Sequence, residues 1–148
     1  KMGGKLSAFQ ADDLGAYDVR ELITRHPQLQ DKLDEVIIGN VSQPAHAANI
    51  ARVIALKAGI DKKVPAFTVH RNCASGMEAI TNATNKILAG DGEIILAAGV
   101  ESMSNVPFFF RKDMQDFLEN LSRARNWQQK LKAISRFRLK FLKPLIGL

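Results

Sequence analysis

Residues 64–104, VPAFTVHRNCASGMEAITNATNKILAGDGEIILAAGVESMS, constrain the fold more than any other stretch. They read as strand, tight turn, helix, turn, strand. Pro65 leads into Ala66, Phe67, Thr68 and Val69, a short run of β-formers. Met77, Ile80, Ala83, Ile87 and Leu88 then recur at spacings of three and four, which predicts a helix over 74–89 with one apolar face. Gly90 and Gly92 around Asp91 stop that helix. The unbroken apolar run from Ile94 to Ala98 suits a strand covered on both faces, as in a parallel sheet. Cys73, the single cysteine, stands where strand gives way to helix. Free amides and the positive end of the macrodipole gather at such a place and favour the nucleophilic thiolate. Gly76 leaves room beside the thiol for a substrate or a second backbone. A buried cysteine serving as a small hydrophobe is the plainer alternative.

The rest of the first hundred residues repeats the rhythm. Asp12 or Asp13 is placed to cap a helix over 14–24, with Leu14, Tyr17, Val19, Leu22 and Ile23 as its apolar set and Pro27 as its stop. Val36, Ile37 and Ile38 mark a buried strand. A helix over 49–58 carries Ile50, Val53, Ile54 and Leu56 and closes at Gly59. Strands near 35–39, 66–70 and 93–99 alternating with helices predict an α/β fold with a mostly parallel sheet and right-handed crossovers. His46 falls in a loop and reads as solvent-facing.

Charge divides the chain. The formal net charge is +6, but residues 1–110 hold 11 Lys/Arg against 12 Asp/Glu, a balance of −1, and residues 111–148 hold 10 against 3, a balance of +7. The basic segment opens with Phe108, Phe109 and Phe110. It continues with Met114, Phe117, Leu118, Leu121 and Ala124, then Trp127, Leu131, Ile134 and Phe137 or Phe141, at helical spacing. Two basic amphipathic helices meeting near Arg125 and Asn126 are expected. Such a pair suits an anionic membrane surface or a phosphate-bearing ligand, or is simply the solvated face of packed helices. No nucleic-acid-binding motif accompanies the charge, so no nucleic-acid partner is expected. No apolar run reaches 18 residues, and the start lacks the apolar core of a secretory signal. One cysteine forms no internal disulfide, and neither a CxxC nor a His pair at ligand spacing occurs, so no metal is expected.

Asn72-Cys73-Ala74-Ser75-Gly76, Ala79, and Ala98-Gly99-Val100-Glu101-Ser102-Met103-Ser104 resemble the acyl-enzyme signature of the thiolases. Val100 replaces the second glycine of the family's Ala-Gly-Gly-x-Glu-x-Met-Ser run. Lys1-Met2-Gly3-Gly4, Gly39-Asn40-Val41 and Asn49-Ile50-Ala51-Arg52 also resemble family segments, the latter two lining a subunit contact there. Ketoacyl synthases share the fold and a cysteine at this helix start, but Glu101-Ser102-Met103-Ser104 favours thiolase.

The resemblance implies a partial N-terminal βαβαβ half over 1–106 and the start of an inserted, basic, helical loop domain over 107–148. The latter is most similar to thiolase subunits of fatty-acid oxidation complexes. It implies 3-ketoacyl-CoA thiolase or acetyl-CoA C-acyltransferase chemistry in fatty-acid β-oxidation, with Cys73 as the catalytic acyl carrier. Coenzyme A enters as a substrate, and no cofactor is implied. The Gly-His-Pro histidine and the Cys-x-Gly cysteine belong to a second half that this sequence does not include, so His70 is not promoted to base. The implied partners are acyl-CoA, coenzyme A, a second copy of the chain and a hydratase/dehydrogenase subunit, with peripheral membrane contact through 111–143. The implied location is cytoplasmic, or mitochondrial in a eukaryote. The alternative is a non-catalytic module that binds a partner subunit or an anionic membrane through the basic tail.

Overall fold

A computed structural model describes residues 3–124, 126–135, 137–142 and 144–146. The chain forms two compact units, one running to Val106 and one beginning at Pro107.

In the first unit the strands β1 (Glu35–Gly39), β2 (Ala66–Val69) and β3 (Ile95–Gly99) form a parallel sheet in the order β2-β1-β3. The helices are α1 (Ala11–Arg25), α2 (Ile50–Ala58) and α3 (Ser75–Ala89). The central strand is covered on both edges and both faces, which is why it reads as an unbroken apolar run. Val36 and Ile38 point with Leu96 into a core built with Val19, Ile23, Ile50 and Ile54 of α1 and α2. Ile37 points to the other face, where Ala79 and Ala83 of α3 meet it beside Phe67, Val69, Ile95 and Ala97. The first unit is therefore three layers, with α1 and α2 on one face of the sheet and α3 on the other.

Local chemistry sets the element ends. Asn49 caps α2, its side chain accepting from the Arg52 amide at 3.2 Å and donating to the Ala66 carbonyl at 2.9 Å. Gly59 and Gly90 close α2 and α3 in the left-handed conformation, at φ 88° and 81°. The Asp34 carboxylate accepts from the amides of Glu93 and Ile94, at 2.7 and 2.9 Å, and pins the approach to β3 beside β1. Those two backbone bonds hold its carboxyl below the ordinary value.

Two expectations need correction. The α1 helix begins at Ala11 with Gln10 at its cap; Asp12 and Asp13 lie in its first turn and bind Lys57 instead. Its Tyr17 and Leu22 are exposed, while Gly15 and Ala16 are buried. A Cβ on Gly15 would stand 2.5 Å from Ile54 Cδ1, so small residues let the two helices approach. On α3 the expected apolar set, Ala83 excepted, is turned outward. Met77 is 65% and Leu88 80% exposed, with Ile80 and Ile87 also exposed, and Ser75, Ala79 and Ala83 take the sheet side. His46 is exposed as expected, and its Nε2 also lies 3.1 Å from Oδ1 of the buried Asp12.

The second unit contains α4 (Lys112–Arg123) and α5 (Trp127–Ile134), as the spacing predicts; Arg125 lies outside the described residues. Two short strands that no residue pattern marks, β4 (Phe108–Phe110) and β5 (Pro144–Ile146), pair antiparallel. Phe117, Phe137 and Phe141 cluster with ring centroids 5.3–6.1 Å apart. Met114 and Ala133 are buried, but Trp127, Leu131 and Ile134 form an exposed row along α5. No described helix is long and apolar enough to cross a membrane.

Candidate active site

Cys73 is exposed, which removes the reading of it as a core hydrophobe. The turn that carries it is tight. Asn72 stands at φ 47°, a left-handed conformation that asparagine tolerates better than most residues. The Ser75 hydroxyl holds this turn from inside, accepting from the Arg71 amide at 2.8 Å and donating to the Asn72 carbonyl at 2.7 Å. Helix α3 starts at the next residue but one after the thiol. Its cap position is Ala74, which offers no side-chain acceptor to the first-turn amides. Donors of that kind at a helix N-terminus suit an anionic or carbonyl oxygen.

A cavity of about 400 Å³ opens beside the thiol. Asn72, Cys73, Ser75 and Gly76 form one wall, Gly39 to Ser42 a second, and Gly99, Val100, Glu101 and Met103 a third. Three backbones meet at its base. A Cβ on Gly39 would lie 2.2 Å from the Ser75 carbonyl oxygen and 2.6 Å from the Gly76 nitrogen. A Cβ on Gly99 would lie 3.0 Å from the Gly76 Cα. The space left by Gly76 is thus taken by the end of β3. The residues after β3 are tied back to the N-terminal segment: Ser102 Oγ donates to the Phe9 carbonyl and Asn105 Nδ2 to those of Ser7 and Phe9, each at 2.9 Å.

Glu101 is the one carboxylate lining this cavity. It accepts from the Val41 amide at 2.9 Å, from the Ser42 amide at 3.2 and 3.3 Å to its two oxygens, and from Asn40 Nδ2 at 3.3 Å. Asn40 Nδ2 also donates to the Val100 carbonyl at 2.9 Å. Asn40 Oδ1 and Ser42 Oγ are buried and find no hydrogen-bond partner among the described residues. In the sequence Glu101 stands out only as part of the run Ala98–Ser104. The available signal was an acid just past a buried apolar strand, where polar groups need partners.

His70 does not join Cys73; its Nδ1 faces the Asn72 amide at 3.5 Å. Arg71 pairs with Glu78 and pulls that carboxyl below its ordinary value. Among the described residues no group of three or more His, Cys, Asp or Glu is placed to hold a metal ion. The second unit has its own cavity of about 520 Å³, with Phe117, Ala133 and Phe141 beside Asp113, Asp116, Arg123 and Lys132. Among the described residues, no cysteine or serine lines it.

Residues 1–135 match the family described as thiolase, N-terminal domain. The chain is 42% identical over 119 residues to the 3-oxoadipyl-CoA/3-oxo-5,6-dehydrosuberyl-CoA thiolase of Escherichia coli strain K12, covering 79% of this chain and 30% of that protein. It is 38% identical over 135 residues to the 3-ketoacyl-CoA thiolase of Photorhabdus laumondii, covering 91% and 31%. It is 37% identical over 132 residues to the mitochondrial trifunctional enzyme subunit beta of Bos taurus, covering 89% and 28%. The crystal structure of the Bacillus anthracis acetyl-CoA acetyltransferase superposes with a TM-score of 0.72 at 36% identity, over 76% of this chain and 28% of that one. The chain therefore spans under a third of the length of the curated relatives it matches.

Proposed function

The chain belongs to the thiolase family, and from that premise we propose that it supplies the acyl-accepting thiol of a transfer between coenzyme A thioesters. The observation that carries this reading is the exposed Cys73 beside an α3 N-terminus without a side-chain cap, in a cavity of about 400 Å³. In the degradative direction the Cys73 thiolate adds to the 3-keto carbon of a 3-ketoacyl-CoA. Collapse of the tetrahedral adduct breaks the bond between C2 and C3. The leaving carbanion takes a proton and departs as acetyl-CoA, and the shortened acyl group stays on sulfur as a thioester. The thiol of a second coenzyme A, deprotonated by a base, then attacks that thioester and restores Cys73. The first-turn amides of α3 are suited to hold an oxyanion during these additions. No residue of the described cavity is assigned the base.

A 3-ketoacyl-CoA of fatty-acid β-oxidation is the substrate class we favour, acting in an oligomer with a hydratase/dehydrogenase subunit. The relative named as a subunit of a trifunctional enzyme supports that setting. The relatives named for 3-oxoadipyl-CoA make a dicarboxylic substrate the alternative to be assayed beside it. In the full-length protein, Cys73→Ser is expected to lower thiolysis of both substrates by about 10⁴-fold or more. It should also abolish the acid-stable acyl adduct seen by intact mass. Unchanged turnover in that variant would sink the assignment.

A second reading rests on the second unit. Trp127, 69% exposed, with Leu131 and Ile134 lines α5 on one side, and Lys130, Lys132 and Arg138 have no acidic partner among the described residues. An apolar row edged by free cations suits the surface of an anionic membrane. The chain should sediment with phosphatidylserine vesicles at low salt and be released at high salt. If it stays in the supernatant at low salt, this reading falls.

A further inference from the structure

We propose that Glu101 is a positioning residue for Cys73, acting through the turn Asn40–Ser42. The inference rests on the reading of Cys73 as nucleophile and deepens it. Glu101 reaches the thiol by a short mechanical path. Its two oxygens take the amides of Val41 and Ser42 and the Asn40 side-chain amide. That fixes the residues directly after Gly39. Gly39 in turn lies against the Ser75 carbonyl and Gly76 nitrogen, with no room for a Cβ between them. Ser75 is the residue whose hydroxyl holds the left-handed turn at Asn72 next to the thiol. The links are charge-assisted hydrogen bonds to Glu101, a backbone contact at Gly39 and the two hydrogen bonds of the Ser75 hydroxyl, a short path through closely packed groups.

The turn would not hold this shape by itself. It leaves Asn40 Oδ1 and Ser42 Oγ buried without partners among the described residues, and an unpaired buried polar group is destabilising. A conformation with that cost persists when its neighbours over-determine it. Here the over-determining group is the Glu101 carboxylate, whose acceptors face donors only. Glutamine at this position would place an NH₂ against one of those donors.

The test is the alkylation rate of Cys73 by iodoacetamide across a pH series. It is recorded on this chain, folded and urea-unfolded, for the wild type, Glu101→Gln, Asn40→Ala and Cys73→Ser. Circular dichroism reports whether each variant folds, and hydrogen exchange follows the amides of Val41 and Ser42. The wild type should react faster folded than unfolded, with both amides protected. Glu101→Gln and Asn40→Ala should lose that protection, and their folded-state rates should fall about 10-fold. Their pH–rate profiles should move toward that of the unfolded chain. The sign separates positioning from charge, because removing a nearby negative charge alone would favour the thiolate and raise the rate. Asn40→Ala leaves the charge in place and decides the matter if Glu101→Gln does not fold. Rates equal to wild type in the folded variants, or a rise in Glu101→Gln, overturn the positioning role and leave Cys73 as nucleophile. A wild-type thiol no faster folded than unfolded overturns the nucleophile reading, and this one with it.

Discussion

Asp12 shows what one residue does for the contact between α1 and α2. Its side chain is fully buried and accepts from Lys57 Nζ at 2.6 Å and His46 Nε2 at 3.1 Å, while Asp13 also takes Lys57 at 2.7 Å. Burial pushes the Asp12 carboxyl up, but the hydrogen bonds from Lys57 and His46 outweigh it and hold the group below its ordinary 3.8. Asp12 and Asp13 hold Lys57 above its ordinary 10.5. A depressed acid gives stability that is fully present above its unfolded value and is lost as pH falls through the folded one. A raised base gives stability that is present below 10.5 and is lost as pH climbs through its folded value. Urea midpoints across a pH series should therefore fall at both extremes. Asp12→Asn should lower the neutral plateau by about 1–3 kcal/mol and flatten the acid limb. An acid limb as steep as that of the wild type would show that Asp12 does not carry it. Little of this was legible beforehand. An aspartate at a helix start reads as a cap, and its partner lies 45 residues away.

At the scale of elements, the contact between β1 and α3 is the critical one. Gly39→Ala would drive a Cβ into the Ser75 and Gly76 backbone, where no side chain can rotate away. The cost should exceed about 3 kcal/mol, the usual upper range for overpacking. A urea midpoint within error of the wild type would refute the close approach. The same contact explains why the larger apolar side chains of α3 face away from the sheet. Helical spacing locates an apolar stripe but does not say what lies opposite. Gly39 and Gly99 bring the sheet so near that only Ser75, Gly76, Ala79 and Ala83 fit against it. By contrast β2 and α2 were legible nearly to the residue, because Pro65, Asn49 and Gly59 mark their ends with local chemistry. The strands β4 and β5 were not, being three residues each and paired across the whole second unit. Of the site, Cys73 and its strand-to-helix turn could be read from adjacent residues. The grip of Glu101 on the turn 40–42 joins positions about 60 apart, and no local pattern records it.

For the whole molecule, the charge balance turns from −1 over residues 1–110 to +7 over 111–148. Two acids of the basic segment are spent on local pairs, Lys112 with Asp116 and Arg123 with Glu119, and among the described residues Lys130, Lys132 and Arg138 have no acidic partner. The sheet order has a consequence in time. Among the described strands of this sheet β1 is made before its two neighbours and lies between them, and its second partner, β3, ends 60 residues later at Gly99. At a synthesis rate of about 5–20 residues per second, that interval lasts roughly 3–12 s. Throughout it Val36, Ile37 and Ile38 leave the ribosome with one edge open and one face uncovered. The segment most deeply buried at the end is thus the one exposed longest at birth, and the interval before α3 and β3 arrive is when a nascent chain of this topology most needs a chaperone.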